Sequence, residues 1–110
     1  MNTIKIGMTA KDLINAKTSS TKLQTAPERI NVRALAVMED TDKDTGDMRP
    51  VGYLIEEDGT VYGTVSATAI DTISAVAEAI ENKELELPLT FKVALRTSGQ
   101  GRNFITLSVE

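Results

Sequence analysis

The run Glu39-Asp40-Thr41-Asp42-Lys43-Asp44-Thr45-Gly46-Asp47-Met48 sets carboxylates at alternate positions, as an EF-hand does when it begins to wrap a hard cation. That loop also needs a glycine at its sixth position for a sharp turn and a bidentate glutamate at its twelfth. Counted from Asp40, those positions hold Thr45 and Val51, and Gly46 comes one residue late. The residues that follow, Pro50-Val51-Gly52-Tyr53-Leu54-Ile55, read as a strand and not as an exiting helix. The acids are therefore expected to form a solvated loop with no metal. Ser98-Gly99-Gln100-Gly101-Arg102 offers the glycines of a phosphate cradle. It lacks the Lys-Ser/Thr of a nucleotide-binding loop and leads into a strand, which excludes a P-loop.

The chain has neither histidine nor cysteine. The usual general base, the commonest zinc ligand, Cys-ligated metals and disulfides are all removed at once. Carboxylate, lysine or tyrosine chemistry remains, and Asp40, Asp42, Asp44 and Asp47 are the acids that would have to collect a divalent ion for it. Loop acids without a framing turn stay solvated, so no catalytic residue, no cofactor and no enzymatic activity is expected. A chain of 110 residues is the size of one domain. No apolar run is long enough to span a bilayer, and Met1–Leu13 lacks the apolar core of a secretory signal. A cytoplasmic location is expected.

Charge is distributed unevenly about a net −4. Residues 1–35 carry six cations against Asp12 and Glu28, while residues 36–88 carry thirteen acids against Lys43, Arg49 and Lys83. Residues 89–110 return to Lys92, Arg96 and Arg102 against Glu110. An acidic total does not exclude a polyanion site, because binding responds to the local field.

Hydrophobic periodicity supplies the elements that must hold these groups. Thr9 with Asp12 makes a capping-box start for a short helix whose apolar contacts are Leu13 and Ile14. Residues 17–29 are polar, rich in Ser and Thr and broken by Pro27, which reads as an arm of low order. Strands follow at about 29–39, 50–57 and 60–66, with Asp58-Gly59 as a type I′ hairpin turn. In the third, alternation sets Val61, Gly63 and Val65 against Thr60, Tyr62, Thr64 and Ser66. The period then lengthens to that of a helix, with Ile70, Ile73, Val76, Ala77 and Ile80 on one side and Thr68 with Asp71 as its cap. Two more strands are expected at about 88–97 and 102–109, joined by the glycine turn at 97–101.

Three strands, a helix and two strands is the element order of an OB-fold, a small five-stranded Greek-key barrel. The fold expected is mainly β with one helix, β-β-β-α-β-β over residues 29–110, preceded by a short N-terminal helix and polar arm at 1–28. An open α+β sheet with the helix across one face fits the same pattern.

The element order over 29–110, with the closing stretch Gly101-Arg102-Asn103-Phe104-Ile105-Thr106-Leu107, resembles the small OB-fold single-stranded DNA-binding proteins of bacteriophages and related mobile elements. The resemblance implies non-catalytic binding of single-stranded DNA in replication or recombination, in the cytoplasm of a bacterial host. It leaves a homo-oligomer and a replication or host protein open as partners, and implies no membrane. The long acidic tail of cellular single-strand binders is absent, so recruitment through such a tail is not carried over. Such binding needs cations tracking phosphates and flat faces on which bases stack. Arg33, Lys92, Arg96 and Arg102 are the candidate cations, and Tyr53, Tyr62 and Phe104 the candidate faces. Tyr62 and Phe104 alternate with hydroxyl residues and are expected to point outward, whereas Phe91 sits in the core set of Leu89, Val93 and Leu95. The basic N-terminal arm could lie along the strand. The competing function is a protein–protein module that docks a host factor through the acidic middle.

Overall fold

Thr9 and Asp12 satisfy each other's backbone N–H groups, at 3.2 and 3.1 Å, and this capping box starts helix α1, Ala10–Ser19. The computed structural model describes residues 3–41, 44–97, 99–101 and 103–110. Strand β1 (Ile4–Ile6) precedes α1, and β2 (Thr21–Lys22) follows it with a 3-10 turn at Leu23–Thr25. The long strands β3 (Arg29–Thr41) and β4 (Met48–Glu56) form a hairpin, followed by β5 (Val61–Thr64) and helix α2 (Ala67–Glu81). Strands β6 (Leu89–Thr97) and β7 (Asn103–Val109) close the chain. All belong to one sheet in the order β2-β5-β4-β3-β6-β7, with β1 also on β3. The protein is thus mainly β with two helices, and its sheet curls strongly into a half-barrel compatible with an OB-like fold.

The stripe read from the sequence is the face α2 buries. Ile70, Ile73, Val76 and Ala77 pack into the hollow of the sheet against Leu35, Leu54, Tyr62 and Phe91. Its start differs from expectation: the N-cap is Ser66, not Thr68, and Ser66 makes no side-chain cap. Its hydroxyl instead donates to the Ile105 carbonyl at 3.3 Å, bridging from the end of β5 to β7 where the sheet leaves its gap. The 56–60 turn also differs. Of its residues only Gly59 has positive φ, at +95°, so Asp58 cannot occupy a type I′ turn. Asp58 accepts from the Thr60 N–H at 2.8 Å, and Gly59 N–H donates to the Glu56 carbonyl at 2.9 Å.

A register shift at Arg33 changes which face each residue of β3 shows. Val32 pairs with Glu56 and Ala34 with Ile55, leaving Arg33 as the extra residue. Val32 therefore enters the interior, while Ala34, Ala36 and Met38 join Val51, Tyr53, Ile55 and Val61 on the other face. Helix α1 covers that second face with Ala16, Leu13 and the preceding Met8. The central strands are consequently buried on both sides, which explains their near-continuous apolar runs. The stretch 17–29, expected as an arm of low order, is tied down: Thr21 and Lys22 pair in parallel with Tyr62 and Gly63, and Leu23 is only 1% exposed in the core.

Candidate nucleic-acid interface

Between the C-terminal end of α1 and the gap separating β5 from β7 lies a cleft of about 690 Å³. Its floor is Val51, Tyr53 and Gly63, on the outer faces of β4 and β5. One wall is Lys17, Ser20, Thr21, Lys22 and Gln24; the other is Leu95, Asn103, Phe104 and Ile105, with Val65 and the start of α2 beside them. Val65 and Leu95 are 54% and 59% exposed and bring open aliphatic surface to the cleft. Arg49 and its cross-strand neighbour Asp40 also line it. Tyr53 lies across Gly63, where a Cβ would stand 3.2 Å from its Cε1 and 3.3 Å from Ser20 Oγ. Burial pushes the Tyr53 phenol up and Asp40 adds to this against Arg49, so the hydroxyl stays protonated at neutral pH.

The expected site residues separate into distinct places. Phe104 is half-buried and lines the cleft, directly opposite exposed Arg96 across the β6–β7 ladder. Lys92 shares that outer face, opposite Ser108, with its Nζ 3.8 Å from Glu28 Oε1. Tyr53 is in the cleft floor but only 4% exposed.

Two of the expectations are corrected. Tyr62 is 8% exposed and faces the interior with Leu54, because the outer side of β5 is the one carrying Val61 and Gly63. Arg33 does not face solvent as a free cation. Its two terminal nitrogens donate to the two Asp12 oxygens, each at 2.9 Å, in a bidentate grip. Asp12 is 5% exposed, and its hydrogen bonds from Arg33 hold its carboxyl well below the usual range against the opposing effect of burial. Arg102 lies outside the described residues, as do Asp42 and Lys43 of the acidic run.

Lys17, Lys22 and Arg49 reach the cleft without having been singled out as site residues. The available signal was Leu23, one large aliphatic in a polar stretch, which marks where the segment must dock. Among the described residues, no group of acids is placed to hold a metal ion and no helix is long and apolar enough to cross a membrane.

A cleft with cationic and aromatic walls suits a single strand, whose phosphates and unstacked bases make those two demands. No curated protein and no solved structure matches the chain. One family model does, that of the phi29-type Phage Single-stranded DNA-binding protein, over residues 7–110, which takes in α1 and β2 as well as the later strands. The chain belongs to this family of phage single-stranded DNA-binding proteins.

Proposed function

We propose that single-stranded DNA passes through the cleft between α1 and the β6–β7 hairpin, and that the protein holds it without catalysis. The observation that carries this reading is the meeting of Phe104, Val65 and Leu95 with Lys17 and Lys22 around one cleft. Unstacked bases find apolar and aromatic surface there, and phosphates find cations at its edge. Arg96 and Lys92 continue the cationic track over the outer face of β6. Asp44 and Asp47 would repel phosphate, so the strand keeps away from the β3–β4 hairpin tip, while Asp40, which lines the cleft, stands in register with Arg49.

In this proposal β3 to β7 are the five strands of a partly open OB-like barrel, the 29–110 domain. The first 28 residues are an addition that completes its binding face. The setting is replication or recombination of phage DNA in the host cytoplasm, with self-association or a replication protein as the further partner. Titrating a fluorescent oligo-dT with the protein across a salt series tests the function. Binding should tolerate sequence, and log K should fall by about 0.7 per neutralised phosphate for each unit of log salt. An absence of anisotropy change at low salt would overturn it.

A further inference from the structure

We infer that the Arg33–Asp12 pair is a positioning device for DNA binding: it sets α1 as one wall of the cleft, and Arg33 acts on the strand only through Lys17. The inference rests on the cleft being the DNA site proposed above.

Arg33 stands at the bulge in β3, where the extra residue releases its side chain from the alternation of the strand. Both oxygens of Asp12 are taken by its guanidinium, and one of them also accepts from the Thr9 N–H that begins α1. A single carboxylate therefore fixes both where the helix starts and where that start sits on the sheet. The far end is held independently, by the pairing of β2 with β5 and by Leu23 in the core. Between the two anchors Ala16 is pressed on the sheet at 2% exposure, and its neighbour Lys17 lines the cleft. Lys17 lies five residues beyond Asp12, roughly 7.5 Å along the helix axis at about 1.5 Å per residue. A small swing at the clamped start is carried directly to it.

The pair also sets the sign of the wall. No acid stands between Asp12 and Glu28. With Asp12 neutralised by Arg33, the segment from α1 to the 3-10 turn presents Lys17 and Lys22 to the cleft with no acid of its own beside them, while Asp40, elsewhere in the lining, stands in register with Arg49.

The test is the oligo-dT titration over salt for wild type, Lys17→Ala/Lys22→Ala, Asp12→Asn, and the three changes combined. The lysine pair should lower the slope of log K against log salt by about 1.4, at about 0.7 per contact. Asp12→Asn should lower it by about 0.7, the share of Lys17, although it removes a negative charge. The combined variant should fall no further than the lysine pair. If Arg33 touched DNA itself, freeing it by Asp12→Asn would tighten binding and steepen the slope, and that result overturns the inference. So does a wild-type slope in Asp12→Asn alongside a reduced slope in the lysine variant. A wild-type slope in the lysine variant instead sinks the cleft as the DNA site. Should the melt of Asp12→Asn show it unfolded, Arg33→Lys keeps the charge without the two-pronged grip. A slope lowered by about 0.7 then supports the inference, and a wild-type slope overturns it.

Discussion

Gly52→Ala places a methyl group where helix α2 leaves little room. Gly52 lies inside β4, paired with Val37 on one side and Thr64 on the other. A Cβ there would stand 2.8 Å from Ile73 Cδ1, 3.3 Å from Ile70 Cγ1 and 3.4 Å from Thr64 Cγ2. Carbon pairs rest at about 3.5–4.0 Å, so Cδ1 must retreat by about 1 Å. Ile73 is 0% exposed, and the atoms behind it give little. Overpacking of this kind costs about 1–3 kcal/mol, and alanine's lower backbone entropy returns about 0.5–1. A net loss of about 1–2 kcal/mol is expected. Ile73→Val removes the obstructing Cδ1 and alone should cost about 0.5–1.5 kcal/mol. The double variant should be no less stable than Gly52→Ala, a favourable coupling of about 1 kcal/mol. Urea denaturation followed by far-UV circular dichroism, with an unchanged slope, measures all three. Strictly additive losses, or a neutral Gly52→Ala, would refute the seating of α2 on β4.

Lys83 closes α2 at φ +62°, where its N–H donates to Ile80 and that of Glu84 to Ala79, so Lys83→Gly should add about 0.5–1 kcal/mol, read as a higher melting temperature. Breaking the Asp12–Arg33 pair by Asp12→Ala should cost about 2–3 kcal/mol at pH 7 in urea unfolding. This is less than the ~3–5 kcal/mol of a fully buried pair, because the Arg33 side chain is 35% exposed. Since Asp12's folded pKa is depressed, its contribution is present above the unfolded value of about 4 and lost as pH falls. The stability gap between wild type and Asp12→Asn should therefore narrow from pH 7 to pH 3. Phe104→Ala should weaken oligo-dT binding by about 1–3 kcal/mol with the salt slope kept, whereas Arg96→Ala should lower that slope by about 0.7.

The elements were legible wherever one periodicity governed a segment. The α2 stripe from Ile70 to Ala77, the Thr9–Asp12 capping box and the strands around Phe91 and Ile105 all follow from local pattern. What was not legible depends on contacts distant in sequence. Arg33 meets Asp12 across 21 positions, and the bulge that frees it shifts the parity of β3 with no glycine to announce it. Tyr62 was misplaced because its face of β5 was expected to be wet, whereas the hollow of the curled sheet takes that side and α1 covers the side of Val61. Unbroken apolar runs such as Ala34-Leu35-Ala36-Val37-Met38 and Tyr53-Leu54-Ile55 carried that signal, since two-sided burial removes alternation. The parallel β2–β5 pairing, two residues long, has no sequence pattern, and with it Lys17 and Lys22 escaped notice as one wall.

Whether the strand enters the cleft can be read from the chain's own fluorescence. It has two tyrosines and no tryptophan: Tyr53 in the cleft floor and Tyr62 in the interior. Adding oligo-dT at low salt should change tyrosine emission in wild type and in Tyr62→Phe, and leave it unchanged in Tyr53→Phe, with binding followed independently by anisotropy. A full emission change retained in Tyr53→Phe, or DNA bound with no change in wild type, would contradict the account.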